Sequence, residues 1–186
     1  ELMIALVVAG ILIQVVAPGF QKMIKDNRIK SEVYAIRAAL NTARSEALTR
    51  RDPVVVCAGT EAGGCAAAGS NWAKGFIAFT DMDNDADYTP PATVDDDNLL
   101  VVHSGDAPDY VKIWLDSTAG DSYIRFGSQG YTGTTASLEV CDDRELTDAR
   151  GIVISAIGYV SAAVDSDGDE IRNDQGGDNF DCVAPP

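Results

Sequence analysis

From Leu2 to Phe20 no side chain is charged and apolar residues fill nearly every position. About 20 helical residues rise about 30 Å, the depth of a hydrocarbon core, so this run has the length of a membrane-crossing segment. The pattern then changes without a break. Across residues 21–51 the apolar positions narrow to one stripe, Ile29, Val33, Ile36, Leu40, Ala43 and Ala47, at alternating steps of four and three. This is the period of an amphipathic helix with one face to bury, which predicts that this half docks on the chain's own globular part while the half before it projects. As one rod, Leu2 to Arg50 would reach ~73 Å, far beyond the helices of compact domains. Gly10 and Pro18 lie within it, and a proline that lacks a backbone donor together with a poor helix former makes residues 10–18 the expected weak point, above all in an assembled state.

Beyond Arg51 the period shortens to that of strands. Runs rich in β-branched and aromatic residues recur at 53–57, 75–80, 98–104 and 110–116, then within 122–127, 136–142, 151–156 and 158–164, with Gly and Asp as punctuation. Short strands at this spacing predict antiparallel sheet packed on the helix, and Ile157 with Gly158 predicts a tight hairpin between the last two runs. The fold class is α+β, a long N-terminal helix against an antiparallel β-sheet head. Three parts follow: a helix over 1–51, a β-rich head over 52–164, and an Asp-rich tail over 165–186. The tail has few large apolar groups and would be disordered alone, so a disulfide or a cation is needed to fix it.

Charge divides the chain sharply. Residues 1–51 hold eight basic and four acidic residues, net +4; the remainder holds six basic and twenty-five acidic, net −19. An acidic head repels phosphate backbones, which disfavours nucleic acid as a partner. The basic cluster Lys22, Lys25, Arg28 and Lys30 beside the apolar run would by itself place the head in the cytoplasm.

Four cysteines, Cys57, Cys65, Cys141 and Cys182, form an even set that suggests two disulfides and an oxidising compartment. Three pairings are open. Cys57 with Cys65, closing a Gly-rich loop, and Cys141 with Cys182, tying the tail to a strand, are favoured. A zinc site would need close Cys or His pairs such as CxxC, and none occurs.

Asp165, Asp167 and Asp169 alternate around Gly168, and Asp174 follows. Oxygens at steps of two with a glycine for the turn begin like a calcium loop, so calcium is the expected cofactor, held by these four residues. The fit is partial, since the twelfth position of an EF-hand would be Gly176 and closure would fall to Asp174 or Asp178. A second run, Asp81, Asp83, Asp85 and Asp87, has the same spacing but Ala86 in place of the turn glycine, and is expected to be a solvated loop leading to Pro90 and Pro91. Asp95, Asp96 and Asp97 are left unassigned. Catalysis has little to rest on. His103, the one histidine, lies in the apolar run LLVVHS and reads as structural; residues 126–130 are not GxSxG, and no phosphate loop or HExxH appears, so no enzyme is expected. Trp72, Trp114, Tyr123 and Tyr131 could offer stacking surfaces to a ligand, but aromatics in β-rich domains mostly belong to the core, and they stay unassigned.

Glu1 followed by LMIALVVAGILIQVVAP, the stretch RIKSEVYAIRAALNTARSEALTRR and then VVVC resemble the N-terminus of type IV pilin-like proteins, in the branch of FimT-type minor pilins and H-type secretion pseudopilins. GFIAFTDMDND, LEVCDDR and ARGIVISAIGYV resemble strand segments of that branch. The resemblance implies a filament subunit that waits in the bacterial inner membrane through residues 1–20 and then polymerises with itself or other pilins into a periplasmic or extracellular filament. It also implies a basic leader, cut before a methylated Phe upstream of Glu1, whose charge competes with the basic cluster in setting orientation. Glu1 would pair with a neighbour's N-terminal amine, making Glu1, Gly10 and Pro18 the assembly residues. Pilus, secretion and DNA-uptake roles all occur in the branch, but the GRxR pattern of its DNA receptors falls on Gly158, Tyr159, Val160 and Ser161, where both arginines are missing.

Overall fold

The computed structural model describes residues 2–88 and 97–184, and within the first helix the side chains of Met3 and of Gly19 onward. Helix α1 spans Leu2–Arg50. Glu1, Asp95 and Asp96 lie outside the described residues. The backbone stays helical through Gly10 and Pro18 in the single chain, since one missing donor leaves the rest of the hydrogen-bond ladder intact. Loss of helical bonding there therefore concerns only the assembled subunit. Among the described residues no helix is long and apolar enough to cross a membrane. The helix stops at Arg51, which takes the left-handed conformation (φ 63°) while its N–H still reaches the Ala47 carbonyl at 2.9 Å, and Pro53 follows.

The expected stripe is the docking face. Ile29, Ile36, Leu40, Ala43 and Ala47 are at most 1% exposed, with Val33 at 9%. The two alanines let the C-terminal half of α1 lie close to the head. The head is two antiparallel sheets rather than one. In the first, β1 (Val54–Thr60) is flanked on one edge by β3 (Gly75–Thr80) and then β4 (Leu99–Ser104), and on the other by β6 (Tyr123–Phe126) and the short β2 (Gly64–Cys65). The second runs β5 (Lys112–Ser117), β7 (Ala136–Cys141), β8 (Arg150–Ile154), β9 (Val160–Ala162). Strands β3 and β7 are buried along their whole length; β3 is a largely continuous apolar run, as such burial demands, whereas β7 buries Ser137 and Glu139 among its apolar residues. The chain leaves the first sheet after β4, starts the second with β5, and returns for β6. The β8–β9 hairpin turns at Gly158 (φ 75°), whose N–H reaches the Ser155 carbonyl at 2.7 Å.

The tail is ordered by packing as well as by its disulfide. Phe180 is 1% exposed and lies against Gly151, where an added Cβ would stand 2.5 Å from its ring. Buried Asn173 accepts from the Ser166 N–H at 2.7 Å and donates to the Gly177 carbonyl at 3.0 Å and to Asn179 Oδ1 at 2.9 Å. The aromatic expectation holds for Trp72, at 2%, but not for Tyr131, which is 49% exposed beside a turn. Trp114 and Tyr123 are half-buried.

Candidate functional site

The first candidate surface is the face of α1 that the head leaves uncovered. Phe20, Met23, Ile24 and Tyr34 are 51–66% exposed and continue at helical spacing through Asn27 and Ser31. One turn away the basic residues of the same helix close onto the acidic head. Lys25 Nζ meets Asp143 Oδ1 at 2.6 Å and lies over the Tyr110 ring, Lys22 Nζ is 3.6 Å from Asp148, and Arg28 donates to the Asp106 carbonyl at 2.9 Å. Three of the four residues in the cluster that would set membrane orientation, Lys22, Lys25 and Arg28, are thus engaged by the chain itself. The reverse pairing is tighter: Arg144 Nη1 donates to Asp26 Oδ1 at 2.6 Å and Nε to Asp142 Oδ2 at 2.7 Å, with Asp148 Oδ1 at 3.4 Å. Its hydrogen bond holds the Asp26 carboxyl below the usual range against a small cost of burial. Burial works against the Arg144 charge, and Asp26, Asp142 and Asp148 outweigh it.

His103 is structural in its surroundings. It stacks on Phe76 with ring centroids 4.5 Å apart, and its Nε2 is 3.4 Å from Glu32 Oε2, close enough for charge attraction but not aligned as a hydrogen bond. Both favoured disulfides form, Cys57–Cys65 and Cys141–Cys182. The first closes the β1–β2 hairpin and the second pins the tail to the end of β7.

Glu139, on β7 beside that second disulfide, is the functional-type residue that sequence reading missed. It alternates with apolar neighbours and no motif marks it. It is 7% exposed, its Oε2 accepts from the Cys182 N–H at 3.0 Å, and it borders a groove of ≈ 350 Å³ with Trp114, Asp116, Asp174 and Asp181. Burial pushes its pKa up to about 7; the Cys182 amide resists this, while Asp181, Asp116 and Asp174 add to it. The unfolded carboxyl ionises first, near 4.5, so Glu139's contribution to stability is whole below that pH and is lost as pH rises through about 7. Melting temperature is expected to fall between about pH 5 and about pH 8, a loss of roughly 2 kcal/mol once solvent in the open groove is allowed for. Glu139→Gln should flatten that slope in pH-resolved melts; an unchanged slope would mean that another group titrates.

The two acidic loops share one backbone shape. Asn84 and Ala86 in the first, and Gly168 and Glu170 in the second, all have positive φ. In each loop the first Asp accepts from the amide five residues on, Asp81 from Ala86 and Asp165 from Glu170. In the tail the oxygens of Asp165, Asp167 and Asp169 converge within 4.8 Å of one another, all three residues exposed. Asp174 is not among them; its Oδ1 accepts from the N–H groups of Gly176 and Asp178. The expected four-residue set is therefore only partly assembled, and Asp165 and Asp169 spend oxygens on amides of Gly168, Glu170 and Ile171 and on Asn179.

The first loop is solvated as expected at Met82, Asp83, Asn84, Asp85 and Asp87, but is anchored at Asp81, Ala86 and Tyr88. Asp81 is fully buried, Ala86 is 8% and Tyr88 5% exposed, and Tyr88 packs on Phe79. Arg125 on β6 draws the loop down, bonding Asp81 Oδ2 through Nη2 and Asn84 Oδ1 through Nη1. Asp97, just before β4, is 2% exposed, with its Oδ1 accepting from the Met82 N–H at 3.0 Å. Burial raises the Asp97 pKa, the Met82 amide resists, and the charges of Asp83, Asp81 and Asp85 add to the rise.

The family model described as type II transport protein GspH matches residues 32–158. No curated protein matches the chain significantly. Among solved structures, the type IV minor pilin FimU of Pseudomonas aeruginosa superposes with a TM-score of 0.55 at 17% identity, over 76% of this chain and 92% of that one. A second crystal form of FimU gives a TM-score of 0.49 at the same 17% identity, over 73% and 92%.

Proposed function

This chain belongs to the family of type II transport protein GspH, and we propose from that premise that it is a structural subunit of a type IV pilus-like or secretion filament, assembled through the N-terminal half of α1. One observation carries the proposal. The apolar face buried on the head runs from Ile29 to Ala47, with Lys22, Lys25, Asp26 and Arg28 reaching the head through polar contacts, while Phe20, Met23 and Ile24 stand exposed on a helix that continues to Leu2. Apolar side chains on a projecting helix need lipid before assembly and other helices after it. The inner membrane is accordingly the proposed site before assembly and a periplasmic or extracellular filament the site after it. Lys30, Arg150 and Arg172 border a small cleft with Tyr34 and have no carboxylate ion-pair partner among the described residues. In a filament they would face the acidic head of a neighbour. An enzymatic role is disfavoured because no described cysteine is free and His103 is held by Phe76 and Glu32. DNA is disfavoured because the 52–186 segment carries −19.

Glu1→Ala tests the reading. The variant should leave the head folded, as read by both disulfides and near-UV circular dichroism, and should lower filament yield in sheared surface or periplasmic fractions, because the lost group acts between subunits. Filaments at wild-type yield would remove Glu1 from assembly. Imaging that finds this chain in no filament, shaft or tip, would overturn the function.

A further inference from the structure

We infer that the cleft bordered by Lys30, Arg150 and Arg172 is a contact between copies of this chain, and that it receives the exposed carboxylates Asp83, Asp85 and Asp87 from a neighbour's loop after β3. The inference rests on the filament reading and names the two surfaces that meet within it.

The cleft starts from two guanidiniums that the fold brings together. Arg150 opens β8 and Arg172 lies in the tail, yet the Nη1 of each donates to the same Ala149 carbonyl at 3.3 Å. The two nitrogens therefore lie within twice that distance of each other. Neither arginine has a carboxylate ion-pair partner among the described residues. Burial pushes the Arg172 pKa down and the Arg150 charge pushes it further, while Asp165 acts in the opposite sense without forming an ion pair. Lys30 on the helix adds a third cation to the same cleft of ≈ 250 Å³, which buried Val33 and Ala163 also line. Three cations around one cleft repel one another until an anion enters, and a carboxylate answers guanidinium groups with charge-assisted hydrogen bonds.

Position and charge choose the occupant. Met23, Asn27, Lys30 and Tyr34 follow one another along α1 at steps of four, three and four, so the cleft continues the helix face on which Phe20, Met23 and Ile24 are exposed. A copy seated on that face reaches the cleft as well. Residues 52–186 carry −19, and heads of like charge packed side by side repel unless cations stand at their contacts. Contacts repeated along a filament are heterologous, joining one patch to a different patch on the next subunit. The tail loop with Asp167 and Asp169 belongs to the cleft's own patch, since Asp165 already acts on Arg172. Asp83, Asp85 and Asp87 are exposed on the first sheet's side of the head, where the ion pair of Arg125 goes to Asp81 and leaves these three outward.

The test measures filament yield in sheared surface or periplasmic fractions, with melting temperature and both disulfides checked in every variant. Arg150→Glu with Arg172→Glu should lower yield by roughly tenfold, because the cleft would then oppose like charge. Lys30→Glu, at an exposed position that threatens no fold, should lower it by about threefold. Adding Asp83→Lys with Asp85→Lys to either variant should restore yield to roughly half of the wild type or more, the sign of a direct pairing. Asp167→Lys with Asp169→Lys should restore none. Wild-type yield in both reversal variants would overturn the contact while leaving the filament reading in place. Recovery from the tail lysines alone, or from neither pair, would overturn the assigned loop. A wild-type chain found in no filament would remove the filament reading and this contact with it.

Discussion

Arg144→Ala is expected to cost about 3–5 kcal/mol of folding stability, the scale for breaking a shielded ion network by removing one partner. The guanidinium, whose side chain is 14% exposed, joins Asp26 on the helix to Asp142 and Asp148 on the head. Removing it strands Asp142, with a side chain 2% exposed, and sets three carboxylates against each other. Arg144→Met, which keeps much of the packing but not the charge, should be nearly as damaging if the carboxylates are the cause. Denaturant titration of the full chain in mild detergent reads the loss, and Asp26→Asn in the Arg144→Ala background should recover part of it. A cost below about 1 kcal/mol, the scale of an exposed pair, would show that the network is surface decoration.

Leu40→Ala should cost about 2–5 kcal/mol, the range for truncating a buried leucine. Leu40 is fully buried between helix and head, with Ile36 and Ala43 equally buried beside it on the helix. The rigid sheet limits how far the gap can close, which favours the upper part of the range. The same titration checks it, and amide exchange should show protection lost along residues 29–47 before the strands of the two sheets. Tyr34→Ala, on the outward face at 66% exposure, should change stability by less than about 0.5 kcal/mol. Similar costs at Leu40 and Tyr34 would refute the assigned docking face.

The contrast between the acidic loops shows where reading from sequence ends. Residues 81–87 and 165–171 have the same alternation of Asp, and the presence of Gly168 favoured the tail. In the structure Asn84, at the place of Gly168, adopts positive φ at 69°, as do Ala86 and Glu170 two residues on, at 62° and 73°, so the turn does not depend on a glycine. What separates the loops is what holds the first: Arg125, forty-four residues from Asp81, bonds Asp81 and Asn84, and buried Asp97 accepts from the Met82 N–H. Glu139 was likewise invisible, because its meaning comes from Cys182, forty-three residues away.

The sequence by itself determined the elements whose cause is local. A stripe with period 3.6 specified which face of α1 is buried, alternating and continuous apolar runs specified eight of the nine strands, and Gly158 marked the last hairpin. The even cysteine count specified oxidation but left three pairings. Only the tertiary structure decided the division of strands between two sheets, the clamp between Asp26 and Arg144, 118 residues apart, the anchoring of the tail through Phe180 over Gly151, and the burial of Asp97 against the Met82 N–H. Local periodicity is written in neighbouring residues and survives any arrangement of the rest. These other features arise only when distant segments are brought within a few ångströms, and their energies depend on burial that exists nowhere until the whole chain has packed.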